Sequence, residues 1–303
     1  MLTKSQIATF RRRGCLAVEG VVPQDLRDAV EAEYATVLRK FAQAHGIAWR
    51  GGFLPTLRAV HDAGIDWFQY LDITLPGDRI AADTPFHYGP AVHALLTAPA
   101  LVEIAAQIVG PEVTSNPIQH LRIKPPAATV AEGAPAHITH TLWHQDRAVA
   151  HADADATKMV TIWVAMTDAT PENGCMVALP LDRDQDMLPH CPLEQTSIPP
   201  ELLDETRALP LPVRAGGVVL LDPMVPHAAR DNVTDGFRWS FDLRYQRTGQ
   251  PTGRAHFPHF PVRGAPAPDW KAQRDAWRAA RAEAAARAHI PLHRWDSTSP
   301  HCA

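Results

Sequence analysis

Apolar and polar positions change their period about a third of the way along the chain, and that change predicts the architecture. Over residues 3–45 the apolar residues recur every three to four positions. After Pro23 come Leu26, Val30, Tyr34, Val37, Leu38 and Phe41, which together make one face of a helix. Proline suits a helix start, because the first N–H groups have no partner inside the helix anyway. Cys15-Leu16-Ala17-Val18 interrupts this segment as a short strand. Residues 90–109 repeat the helical period with Val92, Leu95, Leu96, Leu101, Ile104, Ala105 and Ile108, and Gly110-Pro111 ends it. Residues 46–87 mix Gly51-Gly52 with Trp49, Phe53, Trp67, Phe68 and Tyr70. They are read as helices packing onto a sheet, with a substrate-side cap as the alternative.

From residue 116 the pattern is that of strands. Residues 118–124 read as extended and stop at Pro125-Pro126, and about sixteen residues rich in Ala, Gly and Pro follow. Loops of that length are more often functional than passive, which makes this one a lid candidate. Residues 157–168 carry the β-branched and apolar side chains of a central strand. Asn173-Gly174 predicts a turn into residues 175–180, and hence a hairpin. Residues 182–210 show no period and read as an insertion over one end of the sheet. Val218–Leu221 and residues 237–245 are further strands, and residues 268–288 form a surface helix. Helices first and strands later predict an α+β fold, mainly β in its core, built as a double-sheet barrel. The expected division is a helical part (1–112), a β core (113–250) and a C-terminal extension (251–303) within a single domain, 1–303.

Composition removes several classes of function. A net charge of -4 with a pI near 6.5 leaves no basic footprint for nucleic acid. No uninterrupted apolar run approaches the roughly 20 residues of a bilayer span, and the first residues do not resemble a signal peptide. The expectation is a cytoplasmic protein with no membrane partner. Cys15, Cys175, Cys191 and Cys302 are scattered without paired spacing, so four free thiols in a reducing compartment are expected. No Gly-x-Gly-x-x-Gly or P-loop follows a strand, which argues against a nucleotide fold, and Gly-x-Ser-x-Gly is absent. Oligomeric state leaves no mark on the sequence.

The chemistry centres on Trp143-His144-Gln145-Asp146-Arg147. Residues two apart on an extended strand share a face, so His144 and Asp146 can offer an imidazole nitrogen and a carboxylate oxygen to one metal ion. Val225-Pro226-His227-Ala228 supplies the best third ligand. Two His and one carboxylate on one side of an ion leave the other positions open, as in non-haem Fe(II) oxygenases. Chance alone produces some His-x-Asp among 16 His and 33 acidic residues, so the neighbours decide. In Arg238-Trp239-Ser240-Phe241-Asp242-Leu243-Arg244-Tyr245, alternation puts Arg238, Ser240, Asp242 and Arg244 on one face. A guanidinium turned into a sheet interior needs a carboxylate, and a dicarboxylate cosubstrate would provide one, with Ser240 donating a second hydrogen bond. The bland alternative is an exposed face with an Arg244–Asp242 pair. The later histidines His256, His259, His289, His293 and His301 lack metal-site spacing and read as surface residues.

Taken together, Lys124-Pro125-Pro126, Trp143-His144-Gln145-Asp146, the run from Trp163 to Cys175, and Pro226-His227 with Arg238 resemble the phytanoyl-CoA dioxygenase family of Fe(II)/2-oxoglutarate oxygenases. The resemblance covers about residues 10–250. It implies a double-stranded β-helix, a cupin-like jelly roll with supporting N-terminal helices. It also implies Fe(II), 2-oxoglutarate and O2 as cofactor and cosubstrates, acting on a small-molecule substrate with release of succinate and CO2. By the same resemblance His144, Asp146 and His227 are the iron ligands, Arg238 pairs with the distal carboxylate of 2-oxoglutarate, and Trp163 and His120 lie near the cosubstrate. Some relatives carry a hydroxyl where this chain has Ala229, and Ser240 is the substitute. Related halogenases lack the carboxylate ligand, so Asp146 favours hydroxylation, or desaturation or epoxidation, over halogenation. The competing readings are a cupin-like binding or sensor protein without turnover, and a zinc enzyme on the same scaffold, in which Arg238 has no purpose.

Overall fold

A computed structural model describes residues 1–303 except 77–79, 133, 135–137, 182–185, 193–194, 288–293, 296–297, 299 and 303. Helix α1 (Lys4–Arg13) leads into strand β1 (Cys15–Val18), and helices α2 (Gln24–Ala44), α3 (Phe53–Asp62), α4 (Phe68–Leu71), α5 (Pro90–Leu96) and α6 (Pro99–Val109) follow. The β core begins with β2 (Val113–Ser115), β3 (His120–Lys124) and β4 (Thr141–His144), then α7 (Asp146–Val149), β5 (Met159–Ala165) and β6 (Met176–Ala178). A two-stranded ladder of β7 (Cys191–Pro192) and β8 (Thr196–Ser197) precedes β9 (Leu209–Leu211), β10 (Val218–Leu221) and β11 (His227–Ala229). The long β12 (Arg238–Arg247), β13 (Phe260–Arg263) and α8 (Trp270–Ala285) complete the described elements.

Two mostly antiparallel sheets result, open at their edges rather than closed into the expected barrel. The larger runs β1-β10-β5-β12-β2-β13, with β3 also on β12, and the smaller runs β4-β11-β6-β9. Alternation along β12 decides what each face holds. Trp239, Phe241, Leu243 and Tyr245 join the helices in one core, where the Tyr34 ring meets Trp239 edge-on at 5.5 Å. The same core takes Val160, Ile162 and Val164 of β5, together with Leu101, Ile104 and Ala105 of α6. The opposite face, with Trp163, Ala165, Val219 and Leu221, packs against Met176, Ala178 and Ala229 of the small sheet. The aromatic region 46–87 resolves as helix packing: Phe53, Leu57, Trp67, Phe68 and Leu71 are buried in the helical core.

Three expectations need correction. Residues 157–168 and 175–180 do not form a hairpin, because β10 and β12 occupy both edges of β5. The Asn173-Gly174 turn instead carries the chain to the other sheet, where β6 pairs with β11 and β9. Residues 182–210 are more than an insertion, since β9 is a strand of the small sheet and Ile198 N–H donates to Trp143 O at 2.7 Å. Cys191 and Cys302, 111 residues apart, form a disulfide, which leaves only Cys15 and Cys175 as free thiols. That pairing could not be read from spacing, because it depends on where the chain's last residues dock.

By length and composition Pro90–Val109 would also pass for a membrane span. In the fold it is two helices, broken at Thr97–Ala98, whose buried faces meet the helical and sheet core.

The crossing turn is exacting. Gly174 has φ +77, and a Cβ there would overlap the backbone oxygen of Arg230. Gly174→Ala should therefore destabilise the protein by at least about 2 kcal/mol, the joint cost of a left-handed non-glycine residue and a backbone shift. Urea denaturation of the two proteins measures this, and a difference below 0.5 kcal/mol (about the scatter of a neutral surface change) would contradict it.

Candidate active site

The site lies between the two sheets, and cross-strand register builds it. β11 pairs with β4 so that His227 stands directly opposite His144, their ring centroids 4.2 Å apart. β4 stops at His144, and Asp146 opens α7, so the two do not share one strand as the spacing predicted. Gln145 bridges them and is fully buried. Its backbone N–H donates to His190 Nε2 at 3.0 Å, its side-chain N–H to Met224 O at 2.7 Å, and its side-chain oxygen accepts from Leu188 N–H at 2.7 Å. These bonds tie the strand end to two loops and fix the bend that brings Asp146 back to the histidines.

Asp146 Oδ1 lies 3.7 Å from His144 Nε2 and 3.8 Å from His227 Nε2. Among the described residues these three form the only His/Cys/Asp/Glu group that could hold a metal ion, with ligand atoms within 4.8 Å of one another. Hydrogen bonds settle the ring orientation. His144 Nδ1 contacts Leu142 O at 2.8 Å, and His227 Nδ1 contacts Val225 O at 3.0 Å. A carbonyl can only accept, so each Nδ1 carries the proton and each Nε2 presents a lone pair to the shared centre. Burial, reinforced by His227, pushes the His144 pKa down to about 3 against the pull of Asp146, which keeps the ring neutral and able to ligate.

Asp146 is held from behind. Arg244 donates to Oδ1 and the Thr161 hydroxyl to Oδ2, while Arg244 also reaches Ile118 O at 3.0 Å. Burial alone would raise the carboxyl pKa, but Arg244 and the two histidines hold it well below the usual carboxylate range. Both carboxylate oxygens keep a further lone pair. Arg244 and Thr161 are the supporting residues that sequence reasoning missed. The alternation on β12 placed Arg244 on the right face, but only the fold shows that its partner is Asp146 rather than Asp242, which lies 3.7 Å away.

Arg238 is 1% exposed and, among the described residues, meets no carboxylate. Its guanidinium donates to Ser240 Oγ at 2.7 Å and to Gly174 O at 3.2 Å, stands 5.2 Å over the Trp163 ring, and leaves Nε without a partner. Burial without an anion pushes its pKa below the ordinary arginine value. Arg238, Trp163, His144 and His227 line one narrow cleft. Ser240 lies beneath, its hydroxyl accepting from Arg238 and donating to Arg122 O at 3.3 Å. His120 is on the same sheet face but not in the lining of the cleft, and its Nδ1 contacts Asp72 Oδ2 at 2.9 Å. His289 and His293 lie outside the described residues.

Lys124 is a second buried basic residue that sequence reading used only as part of a motif. Its Nζ donates to Ala229 O at 2.8 Å and to Arg230 O, and burial, with Arg238 adding to it, lowers its pKa to about 6. The unfolded chain binds this proton up to about pH 10.4 and the folded chain only up to about 6, so stability should rise with pH between those limits. Chemical denaturation from pH 6 to 9 should show that rise in the native protein and a flatter dependence in Lys124→Met. Parallel slopes would contradict it. Lys124 also borders a cavity of about 290 Å³, walled by Ala127, Val130, Ala131 and Ile138 of the predicted lid loop. Residues 133 and 135–137 of that loop lie outside the described residues.

A two-histidine, one-carboxylate set between paired β-sheets, with a buried arginine beside it, defines the mononuclear non-haem iron class of oxygenases. The chain belongs to the phytanoyl-CoA dioxygenase (PhyH) family, whose model matches residues 10–240. Family members use Fe(II), 2-oxoglutarate and O2, and the double-stranded β-helix is the fold expected of them. Similar solved structures include the non-heme monooxygenase ThoJ in its apo form, 20% identical with a TM-score of 0.63, covering 92% of this chain and 96% of that one. The epimerase SnoN, solved with Fe3+, α-ketoglutarate and nogalamycin RO, is 20% identical with a TM-score of 0.54, covering 83% and 87%. The α-ketoglutarate-dependent carbocyclase SnoK is 18% identical with a TM-score of 0.50, covering 81% and 84%. These likenesses concern the fold. No curated protein matches the chain by sequence.

Proposed function

We propose that residues 1–303 form a single oxygenase domain that hydroxylates a small organic metabolite, using Fe(II), 2-oxoglutarate and O2 and releasing succinate and CO2. The observation that carries this reading is Arg238, a buried cation that meets no carboxylate among the described residues and lines the same cleft as two histidine lone pairs. A metal-binding fold with no dicarboxylate to hold would gain nothing from such a residue, and its desolvation is costly.

The residues fit the groups that the family uses. His144 Nε2, His227 Nε2 and Asp146 Oδ1 would hold the ferrous ion from one side, leaving the opposite positions open. Bound there, iron with 2-oxoglutarate and O2 supplies a two-electron oxidant, its formation driven by decarboxylation. The chain's own residues do the rest. Arg244 and Thr161 hold Asp146 in its ligating orientation, and Leu142 O and Val225 O keep the Nδ1 protons in place. Arg238, oriented by Ser240, Gly174 and Trp163, would take the distal carboxylate of the cosubstrate. The loop cavity adjoining the cleft leaves room for a substrate beside Lys124.

The test is direct. Anaerobic addition of Fe(II) and then 2-oxoglutarate should give a weak visible metal-to-ligand charge-transfer band, and admission of air should give succinate. Absence of both from the native protein would overturn the proposal. The fold relatives include an epimerase and a carbocyclase, so product mass distinguishes hydroxylation, which adds one oxygen atom, from outcomes that add none.

A further inference from the structure

We propose that Arg122 is a specificity residue of this site and that the substrate carries a carboxylate which Arg122 binds. The inference rests on the oxygenase reading above and extends it to the class of substrate.

Register fixes where Arg122 stands. On β3 it is paired with Ser240 of β12, and Lys124 is paired with Arg238. Alternation sends Leu121 and Ile123 into the helical core, so Arg122 and Lys124 face the space between the sheets. The Arg122 side chain lines the same narrow cleft as His144, His227, Trp163 and Arg238. Unlike Arg238 it is partly exposed, which puts it toward the open part of the cleft rather than the floor. Among the described residues its guanidinium has no hydrogen-bond or ion-pair partner. Asp242, the carboxylate nearest along the neighbouring strand, lies beside Arg244 instead, and Asp72 is taken by His120 and by the N–H groups of Ile73 and Leu121.

Charge bookkeeping points the same way. The guanidinium groups of Arg122, Arg238 and Arg244 face the inter-sheet space, against the carboxylates of Asp146 and Asp242. A ferrous ion adds two positive charges and 2-oxoglutarate removes two, so loading the site leaves the excess of cations as it was. Of the two cosubstrate carboxylates, one belongs with the metal and the other with Arg238, whose position is fixed by three neighbours. Arg122 remains, half-buried and uncompensated. A planar guanidinium in a narrow cleft suits one planar two-oxygen anion. A phosphate ester would call for a wider basic cradle than one arginine.

The test uses protein loaded with Ni(II) and saturating 2-oxoglutarate, which binds without turning over. The probes are a panel of monocarboxylates and their primary amides of matched shape, from butyrate and butyramide to naphthoate and naphthamide, with phenyl phosphate added. Affinities are read from isothermal titration and from broadening of probe proton resonances by the metal. At least one carboxylate should bind about tenfold or more tightly than its amide, the scale of one charge-assisted contact. Arg122→Gln should erase that preference while leaving the affinity for 2-oxoglutarate unchanged, and Arg122→Lys should restore part of it. The inference is overturned if the native complex shows no carboxylate preference, if phenyl phosphate binds better than every carboxylate, or if the preference survives in Arg122→Gln. It is equally overturned if Arg122→Gln weakens 2-oxoglutarate binding as much as Arg238→Gln does, since Arg122 would then serve the cosubstrate. Failure of the oxygenase reading looks different, because the native protein would not take up Ni(II) with 2-oxoglutarate at all.

Discussion

Asp146→Ala should abolish succinate formation and also lower the stability of the metal-free protein by about 3–5 kcal/mol. The two losses have separate origins. The first follows from removing the one carboxylate in the candidate ligand set. The second follows from Arg244, a buried cation whose tightest partner is Asp146. Breaking a buried pair by deleting one member leaves the other charge desolvated and uncompensated, which costs more than the pair was worth. Asp242, 3.7 Å from Arg244, can take up part of the loss and places the effect at the lower end of that range. The double variant Asp146→Ala/Arg244→Met separates the two effects. Its stability should recover most of what the single variant lost, while succinate formation stays absent. Urea denaturation and a succinate assay on the three proteins decide the matter. Native-level succinate from Asp146→Ala would refute the ligand assignment, and a double variant no more stable than the single one would refute the account of Arg244.

How much of this could be read from the sequence depends on whether a feature is local. Period alone placed the helical face of α2, the strand at Cys15–Val18 and the two faces of β12, because backbone alternation is a property of neighbouring residues. The candidate ligand types were legible too, since the spacing and neighbours of His144, Asp146 and His227 singled them out, and the fold brings the three together as a group that could hold a metal ion. What failed was set by distant contacts. Whether β5 and β6 make a hairpin depends on β10 and β12, which arrive later in the chain and fill both edges of β5. The bend between His144 and Asp146 depends on His190 and Met224, bonded to Gln145 from two loops. The Cys191–Cys302 bond depends on where the final residues dock. That neither Arg122 nor Arg238 meets a carboxylate among the described residues was equally invisible, because it is a fact about the assembled interior.

The state of Arg238 leads to an expectation of a different kind from that for Asp146, loss of binding without loss of stability. Arg238→Leu should weaken 2-oxoglutarate binding by roughly a hundredfold or more, the scale of losing a desolvated bidentate charge pair. It should not destabilise the protein in the absence of cosubstrate. The native guanidinium is buried with Nε unsatisfied and only neutral acceptors, Ser240 Oγ and Gly174 O, so the folded state already bears the cost of its desolvation. Leucine removes that cost and forfeits two hydrogen bonds worth about 1.5–3 kcal/mol each to a charged group, so the terms roughly offset. Ligand-induced stabilisation makes the measurement simple. At a hundred times its dissociation constant, 2-oxoglutarate should stabilise the metal-loaded native protein by about 2.7 kcal/mol, and at the same concentration the variant should gain far less. Equal stabilisation would show that Lys124 or Arg122 holds the cosubstrate instead. A loss of several kcal/mol in the ligand-free variant would show that Arg238 is part of the scaffold. The expected pattern, an intact fold with the cosubstrate released, is that of a charge kept for what it binds, since an interior selected only for stability would have filled this position with an apolar side chain.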